Sequence, residues 1–207
     1  MVRIVKKYAD RRSEIIEAAC HLFQTKEYEM ATMQEVMDFL NIAKGTIYHY
    51  FPSKEALFEA VVEHIVDTRI EQMRNGLSKS QATALEKFKL LISMSNMAQE
   101  NQGILEQLHE SKNSVMHVRL MAVALIKLTP LYEQVVMQGC KEGLFKTDTP
   151  RESVEFILAA VPFLTDRGVY PWHQEDIRRR INAFPDIVEA VLKAPKGSFE
   201  FLRKLLQ

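Results

Sequence analysis

The sequence predicts an all-α chain: a small helix-turn-helix domain over residues 1–55, then a larger helical domain over residues 56–207. Three observations carry this. No segment alternates apolar and polar residues at the period of two that a half-buried strand needs. Apolar residues recur three and four apart along nearly every long segment. Helix starts and stops punctuate the chain at short intervals, as at Thr32, Pro52, Ser53, Gly143 and Thr149.

Ile15, Ile16, Ala18, Ala19, Leu22 and Phe23 give a first helix from about Asp10 to Thr25. Thr32-Met33-Gln34-Glu35 is a capping box, in which Thr32 accepts the third N–H and Glu35 reaches back. The helix it opens, to Leu40, carries Val36, Met37, Phe39 and Leu40. Asn41 follows, a residue that tolerates the left-handed backbone of a tight turn. A short helix from Lys44 to Tyr50 ends where Pro52 removes a donor and pushes Phe51 out of the helical region. Ser53 caps the next helix, which buries Leu57, Val61 and Ile65 and runs to Asn75, with Gly76 as its stop.

Beyond a short polar link, Leu85, Phe88, Leu91, Ile92 and Met94 mark another helix, and Ile104, Leu105 and Leu108 a short one. Val115 to Leu128 is apolar nearly all round, which predicts a central, buried helix. Pro130 kinks or breaks it, Leu131 to Cys140 resumes it, and Gly143 ends it. Thr149-Pro150-Arg151-Glu152 reads as a second capping box, opening a helix through Phe156, Ile157, Val161 and Leu164 that Pro162 kinks. The helix from Gln174 carries Ile177, Ile181, Phe184, Ile187, Val188 and Val191, with a break at Pro185, and a short helix follows Ser198.

The chemistry concentrates between Ala43 and Phe58, AKGTIYHYFPSKEALF. A very short helix rich in Lys, Thr, Tyr and His, held between longer helices, suits insertion into a nucleic-acid groove. Cations and hydroxyls meet phosphates there, and rings meet thymine methyls and sugars. The stretch from Arg11 to about Val62 resembles the DNA-binding domain of the TetR family of transcriptional regulators. The likeness rests on Lys44, Gly45, Thr46, Ile47, Tyr48, Phe51, Ser53, Lys54, Glu55, Leu57 and Phe58 at the family's spacing. Asn41 stands where the family usually has Gly, Ala43 where it has Ser, and Tyr50-Phe51 where His-Phe is commoner. The change at Ala43 removes the side-chain cap of the short helix. The expected DNA-facing residues are Arg11, Thr32, Lys44, Gly45, Thr46, Tyr48, His49, Tyr50 and Lys54, with Thr46 and Tyr48 reading base edges and Ile47 in the core.

Lys plus Arg and Asp plus Glu both number 27, so any electrostatic footprint for DNA must be local. Arg3, Lys6, Lys7, Arg11 and Arg12 form either a DNA-contacting arm or a solvated tail. Cys20 and Cys140 stand far apart without a paired motif, as small buried apolar residues do, and imply no disulfide framework. The N-terminus lacks the apolar core of a signal peptide, and no run of about 18 apolar residues predicts a membrane span. A cytoplasmic protein is expected.

Nucleophile-elbow, zincin, P-loop and dinucleotide motifs are absent, so the chain is not read as an enzyme, and neither cofactor nor metal is expected. Glu106 and His109 have di-iron spacing, but a second copy is missing. The methionines and aromatics of the second domain suit either a core or an adaptable apolar pocket. The pocket reading places an effector against Met94, Met97, Leu108, His109, Met116, His117, Leu120, Met121 and Phe163.

The resemblance implies a repressor: a homodimer on a pseudo-palindromic operator, released by a small, largely hydrophobic effector that moves the helix ending at Gly76. Phe156, Ile157, Ala160, Leu164, Ile181, Val188 and Val191 are the expected dimer face. Two other readings stay open: a helical enzyme or metal protein with a vestigial DNA-binding domain, and a constitutive DNA binder that senses nothing.

Overall fold

A computed structural model describes residues 8–26, 28–96, 114–166 and 169–206. These residues hold α1 (Tyr8–Thr25), α2 (Met33–Leu40), α3 (Lys44–Tyr50), α4 (Lys54–Ser78), α5 (Ala84–Asn96), α6 (Ser114–Lys141), α7 (Pro150–Thr165), α8 (Gln174–Leu192) and α9 (Leu202–Leu205), with no strand among them. They fall into two compact units that divide between Val66 and Asp67, inside α4. The short helix expected at 104–108 and the arm residues Arg3, Lys6 and Lys7 lie outside the described residues.

The first unit closes around Ile15, Ala19, Phe23, Val36, Ile47, Phe51, Leu57, Phe58 and Val61, all buried. Phe23 and Tyr28 pack on Phe58, with ring centroids 5.0 and 4.7 Å away. Ser53 Oγ accepts the Ala56 N–H at 3.2 Å and so caps α4. Glu55, Glu59 and Glu63 are exposed along α4.

In the second unit α6 packs on α5 and α7, α7 on α8, and α9 on α8 and α5. Phe199 is the aromatic hub, 5.2 Å from Phe88 and 5.8 Å from Phe145. Its N–H donates to buried Glu189 Oε1 at 2.9 Å. Phe145 lies so close to Gly139 that a Cβ there would meet its ring at 2.2 Å. Gly143, at φ +74°, terminates α6 as expected, and the Leu144 N–H returns to Gly139 O at 2.9 Å.

Several expectations change here. Gly76 does not stop α4, which continues to Ser78. What its missing side chain does is admit Met94, whose Sδ would stand 3.3 Å from a Cβ at that site. Pro130 and Pro185 do not break their helices, and Pro162 also lies within a continuous one. At Pro130 the carbonyl left without its helical donor belongs to Ile126.

The first half of α6 is not the buried centre expected: Val118 and Ile126 are exposed, and the helix's buried face starts near Thr129. The helix His117–Lys141 is also long and apolar enough to cross a membrane, although the expectation was that no segment would be. Here Leu131, Tyr132, Val135 and Val136 are core residues of the second unit.

Thr149 makes no side-chain cap; Thr147 Oγ1 receives the Thr149 N–H at 3.3 Å instead. A capping box missed in the sequence opens α5. There Thr83 N–H donates to Glu86 Oε2 at 2.9 Å, and Glu86 N–H returns to Thr83 Oγ1 at 3.4 Å. Glu142 joins this helix start to the end of α6, accepting the Ala84 N–H at 2.9 Å.

These carboxylates set a pH dependence. Backbone N–H donors at Thr83 and Ala84 hold Glu86 and Glu142 below the ordinary glutamate value of 4.5. A group depressed in the folded state adds stability above its unfolded pKa and loses it as pH falls through the folded one. Urea midpoints should therefore be flat near neutrality and decline below about pH 4.5. Glu142→Gln should show a shallower acid decline than the parent chain; an equal decline would remove Glu142 from this linkage.

Candidate nucleic-acid interface and the cavity of the second unit

The interface is built from the start of α2. Thr32 Oγ1 accepts the Glu35 N–H at 3.2 Å and Thr32 N–H donates to Glu35 Oε2 at 3.0 Å, completing the expected box. Lys26 pairs with the other oxygen of Glu35. Hydrogen bonds from Lys26 and then Thr32 hold the Glu35 carboxyl below its ordinary value. Asn41 ends α2 at φ 51°, ψ 50°, in the left-handed region its side chain tolerates. Ala43 precedes α3 with no side-chain cap, as its methyl dictates.

Ile47, fully buried, pins α3 to the core. Around it Lys44, Gly45, Tyr48 and His49 are exposed and Thr46 and Tyr50 half-buried. Lys44 Nζ lies 5.6 Å from the Tyr48 ring centroid, and Tyr48 is 41% exposed. A Cβ at Gly45 would meet nothing within 4 Å, so no crowding inside the chain calls for glycine there. Tyr8, which sequence reasoning passed over, packs on Tyr50 at 4.6 Å and edge-on to His49 at 5.9 Å. An aromatic just ahead of the basic Arg11-Arg12 pair was the available signal. Arg12 lies 5.3 Å over the Phe51 ring, and Arg11 pairs with Glu14 at 2.9 Å.

Lys54 has a different place from the one expected. Its ammonium donates to the carbonyls of Tyr28 at 2.9 Å, Ala31 at 3.2 Å and Glu29 at 3.4 Å, and lies 4.3 Å over the Tyr28 ring. It clamps the loop that leads into Thr32. Burial, then the charge of Glu55, pushes the Tyr28 phenol up to about 12.

In the second unit a cavity of about 180 Å³ opens between five helices. Its walls are Phe88, Ile92 and Ser95 of α5 with Leu128 and Tyr132 of α6. Ile157, Leu158, Val161 and Pro162 of α7 face them, and Val188, Leu202 and Leu206 complete it. None of these residues is charged.

None of the expected pocket residues whose side chains are described lines this cavity. Met97, Leu108, His109 and the side chain of Met116 are outside the described residues. Met94 packs on Gly76, and His117 is buried with Nε2 2.7 Å from Asp166 Oδ2. Leu120 and Met121 are half-buried about two turns before the cavity's α6 wall, and Phe163 packs edge-on to Tyr170 at 5.3 Å. The cavity sits where α6 is buried, and helical periodicity alone did not locate that half.

On the expected dimer face, Phe156 (56% exposed) and Leu164 are open, and Ala160 and Val191 half-buried. Ile157, Ile181 and Val188 are buried in the chain's own core and cannot serve a second copy. Ala183, Ile187 and Ala190 are exposed on α8.

Comparison with known proteins agrees with both units. Residues 15–61 match the family of bacterial regulatory proteins of the tetR type, and residues 80–187 match the tetracyclin repressor-like C-terminal domain. The nucleoid occlusion factor SlmA of Haemophilus ducreyi is 26% identical over 100 residues, 48% of this chain and 50% of that protein. The helix-turn-helix regulator YuxN of Bacillus subtilis is 34% identical over 103 residues, 49% of this chain and 35% of its own length. The matched part is thus half or less of each of these relatives. A solved TetR-family regulator from Pectobacterium atrosepticum superposes with a TM-score of 0.65 at 17% identity, covering 92% of this chain and 100% of that one, a likeness of fold.

The clamp gives a measurable consequence. Lys54→Met keeps the stem and removes the donor, leaving carbonyls of the 28–31 loop unpaired. Urea unfolding should show a loss of about 1–3 kcal/mol. An unchanged midpoint would mean that the ammonium does not hold this loop.

Proposed function

The chain belongs to the TetR family of bacterial transcriptional regulators and carries its DNA-binding domain, and from that premise we propose that it is a cytoplasmic, homodimeric repressor that a small molecule releases from its operator. The observation that carries the reading is the outer face of α3. Lys44, Tyr48 and His49 stand exposed there on a helix whose opposite side is locked down by Ile47. Lys44 supplies a phosphate contact, and Thr46 and Tyr48 meet base edges in this reading. The bare Gly45 lets a DNA backbone approach closely. Thr32 contributes at the N-terminus of α2, and Arg11 and Tyr50 flank the reading face.

Two copies related by a two-fold axis would present two such helices to successive major grooves about 34 Å apart. The apolar residues left open on α7 and α8, Phe156, Ala160, Leu164, Ile187 and Ala190, suit an isologous contact of that kind. An effector in the second unit needs differential affinity alone: by binding the DNA-incompetent arrangement better, it shifts the population. A coupling of about 1–3 kcal/mol lowers operator affinity about 5- to 150-fold. Because α4 contributes to both units, it is the element through which the shift would pass. A constitutive binder is the second reading, motivated by the likeness to a nucleoid occlusion factor. The apolar cavity favours the ligand-responsive one.

Selection of genomic fragments by the purified chain tests the reading. A pseudo-palindromic sequence should be enriched. On that fragment Lys44→Ala should weaken binding to specific and unrelated DNA alike and reduce the salt slope by about one unit. Absence of any enriched sequence, or an unchanged slope, would contradict it. For assembly, sedimentation should show a dimer at micromolar concentration that Phe156→Glu converts to a folded monomer. A variant that stays dimeric would move the contact off α7.

A further inference from the structure

The second-unit cavity carries more than its existence. A cavity of about 150 Å³ lined by aliphatic residues admits benzene, so about 180 Å³ suits one ring with a small substituent, or a short chain. With no charged side chain in its walls, an ionised ligand would lose its hydration and gain no partner.

Ser95 and Tyr132 put their hydroxyls in its walls. Ser95 Oγ donates to Leu91 O at 3.0 Å, so its proton is committed and it offers a ligand lone pairs. The Tyr132 phenol can donate or accept. Burial pushes the Tyr132 phenol up to about 12, so it stays neutral at physiological pH.

The same short segment reaches α4. Ile92 and Ser95 face the cavity, and Met94, between them, accepts a hydrogen bond from Arg69 Nη2 through its carbonyl. The Met94 thioether rests on Gly76. A ligand bearing on Ile92 and Ser95 therefore presses on the residue that seats α5 against α4.

We propose that this cavity binds a neutral, compact, apolar molecule carrying one hydroxyl or N–H group, which hydrogen-bonds at the Tyr132 and Ser95 hydroxyls. This rests on the reading of the second unit as an effector domain, and it names the class of effector.

Calorimetric titration of the full chain with p-cresol, toluene and 4-methylbenzoate tests it. These probes share a ring and a methyl group and differ in donor and charge. p-Cresol should bind about 2- to 10-fold more tightly than toluene, the worth of one net hydrogen bond. 4-Methylbenzoate should not bind measurably. Tyr132→Phe should abolish the advantage of p-cresol while preserving toluene binding, and Val161→Phe, which fills the space, should abolish both.

Binding of 4-methylbenzoate as tight as that of p-cresol would overturn the proposal. So would a p-cresol advantage that survives in Tyr132→Phe, or the failure of both neutral probes to bind the parent chain. Operator affinity measured in the same preparations separates the two levels. Neutral probes that bind as predicted and leave operator affinity unchanged support the ligand class and contradict the effector role.

Discussion

One helix has to satisfy two cores. Through its first half α4 gives Leu57, Phe58, Val61 and Val62 to the first unit, and through its second half Ile70 and Met73 are buried in the second. Phe23 of α1 packs on Phe58 in the first half, and Met94 of α5 lies against Gly76 in the second. Lys54, at the very start of the helix, holds the loop from which α2 springs. Gly76, near its end, is kept bare so that α5 can approach through Met94. The hydrophobic demand of α4 is thus divided along its length, and the residues at its two ends fix what each unit builds on it.

The reading helix illustrates how little local propensity decides here. Seven residues are too few to be helical alone in water, where isolated helices shorter than about 12–15 residues are marginal. α3 holds its shape because Ile47 and Phe51 are buried beneath it, the capping box fixes the start of α2, and Asn41 turns the chain. The outward residues are therefore free to serve a partner: none of Lys44, Gly45 or His49 is needed to hold the core. The second unit makes the opposite use of its residues. Its aromatic hub of Phe88, Phe145 and Phe199 is closely packed, and the cavity lies where that packing stops against α7.

Features set by neighbours in sequence were legible before the structure. The Thr32–Glu35 box, the left-handed Asn41, the uncapped Ala43, the Ser53 cap and the Gly143 stop each depend on residues within four positions, and each stands as expected. What failed depended on residues distant in sequence. Lys54 reads as a phosphate-binding cation until three carbonyls from 23 to 26 residues away claim it. Gly76 reads as a stop until Met94 arrives over it. An all-apolar stretch such as Val115–Leu128 looks central by composition, but burial depends on which helices lie against it, and those lie against the later half of α6. For the same reason the cavity formed from Ile, Leu, Val and Tyr side chains, and the methionines expected to line it were drawn elsewhere or fall outside the described residues.

Amide hydrogen exchange on the full chain, free and bound to its selected operator, tests the central claim most directly, because it reads the α2–α3 surface residue by residue. The account predicts slowed exchange on DNA binding concentrated between Thr32 and Tyr50, with the amides of Lys44 and Gly45 at the uncapped start of α3 among the most affected. Slowed exchange confined to other segments, with 32–50 unchanged, would contradict the assignment of α3 as the element that reads DNA.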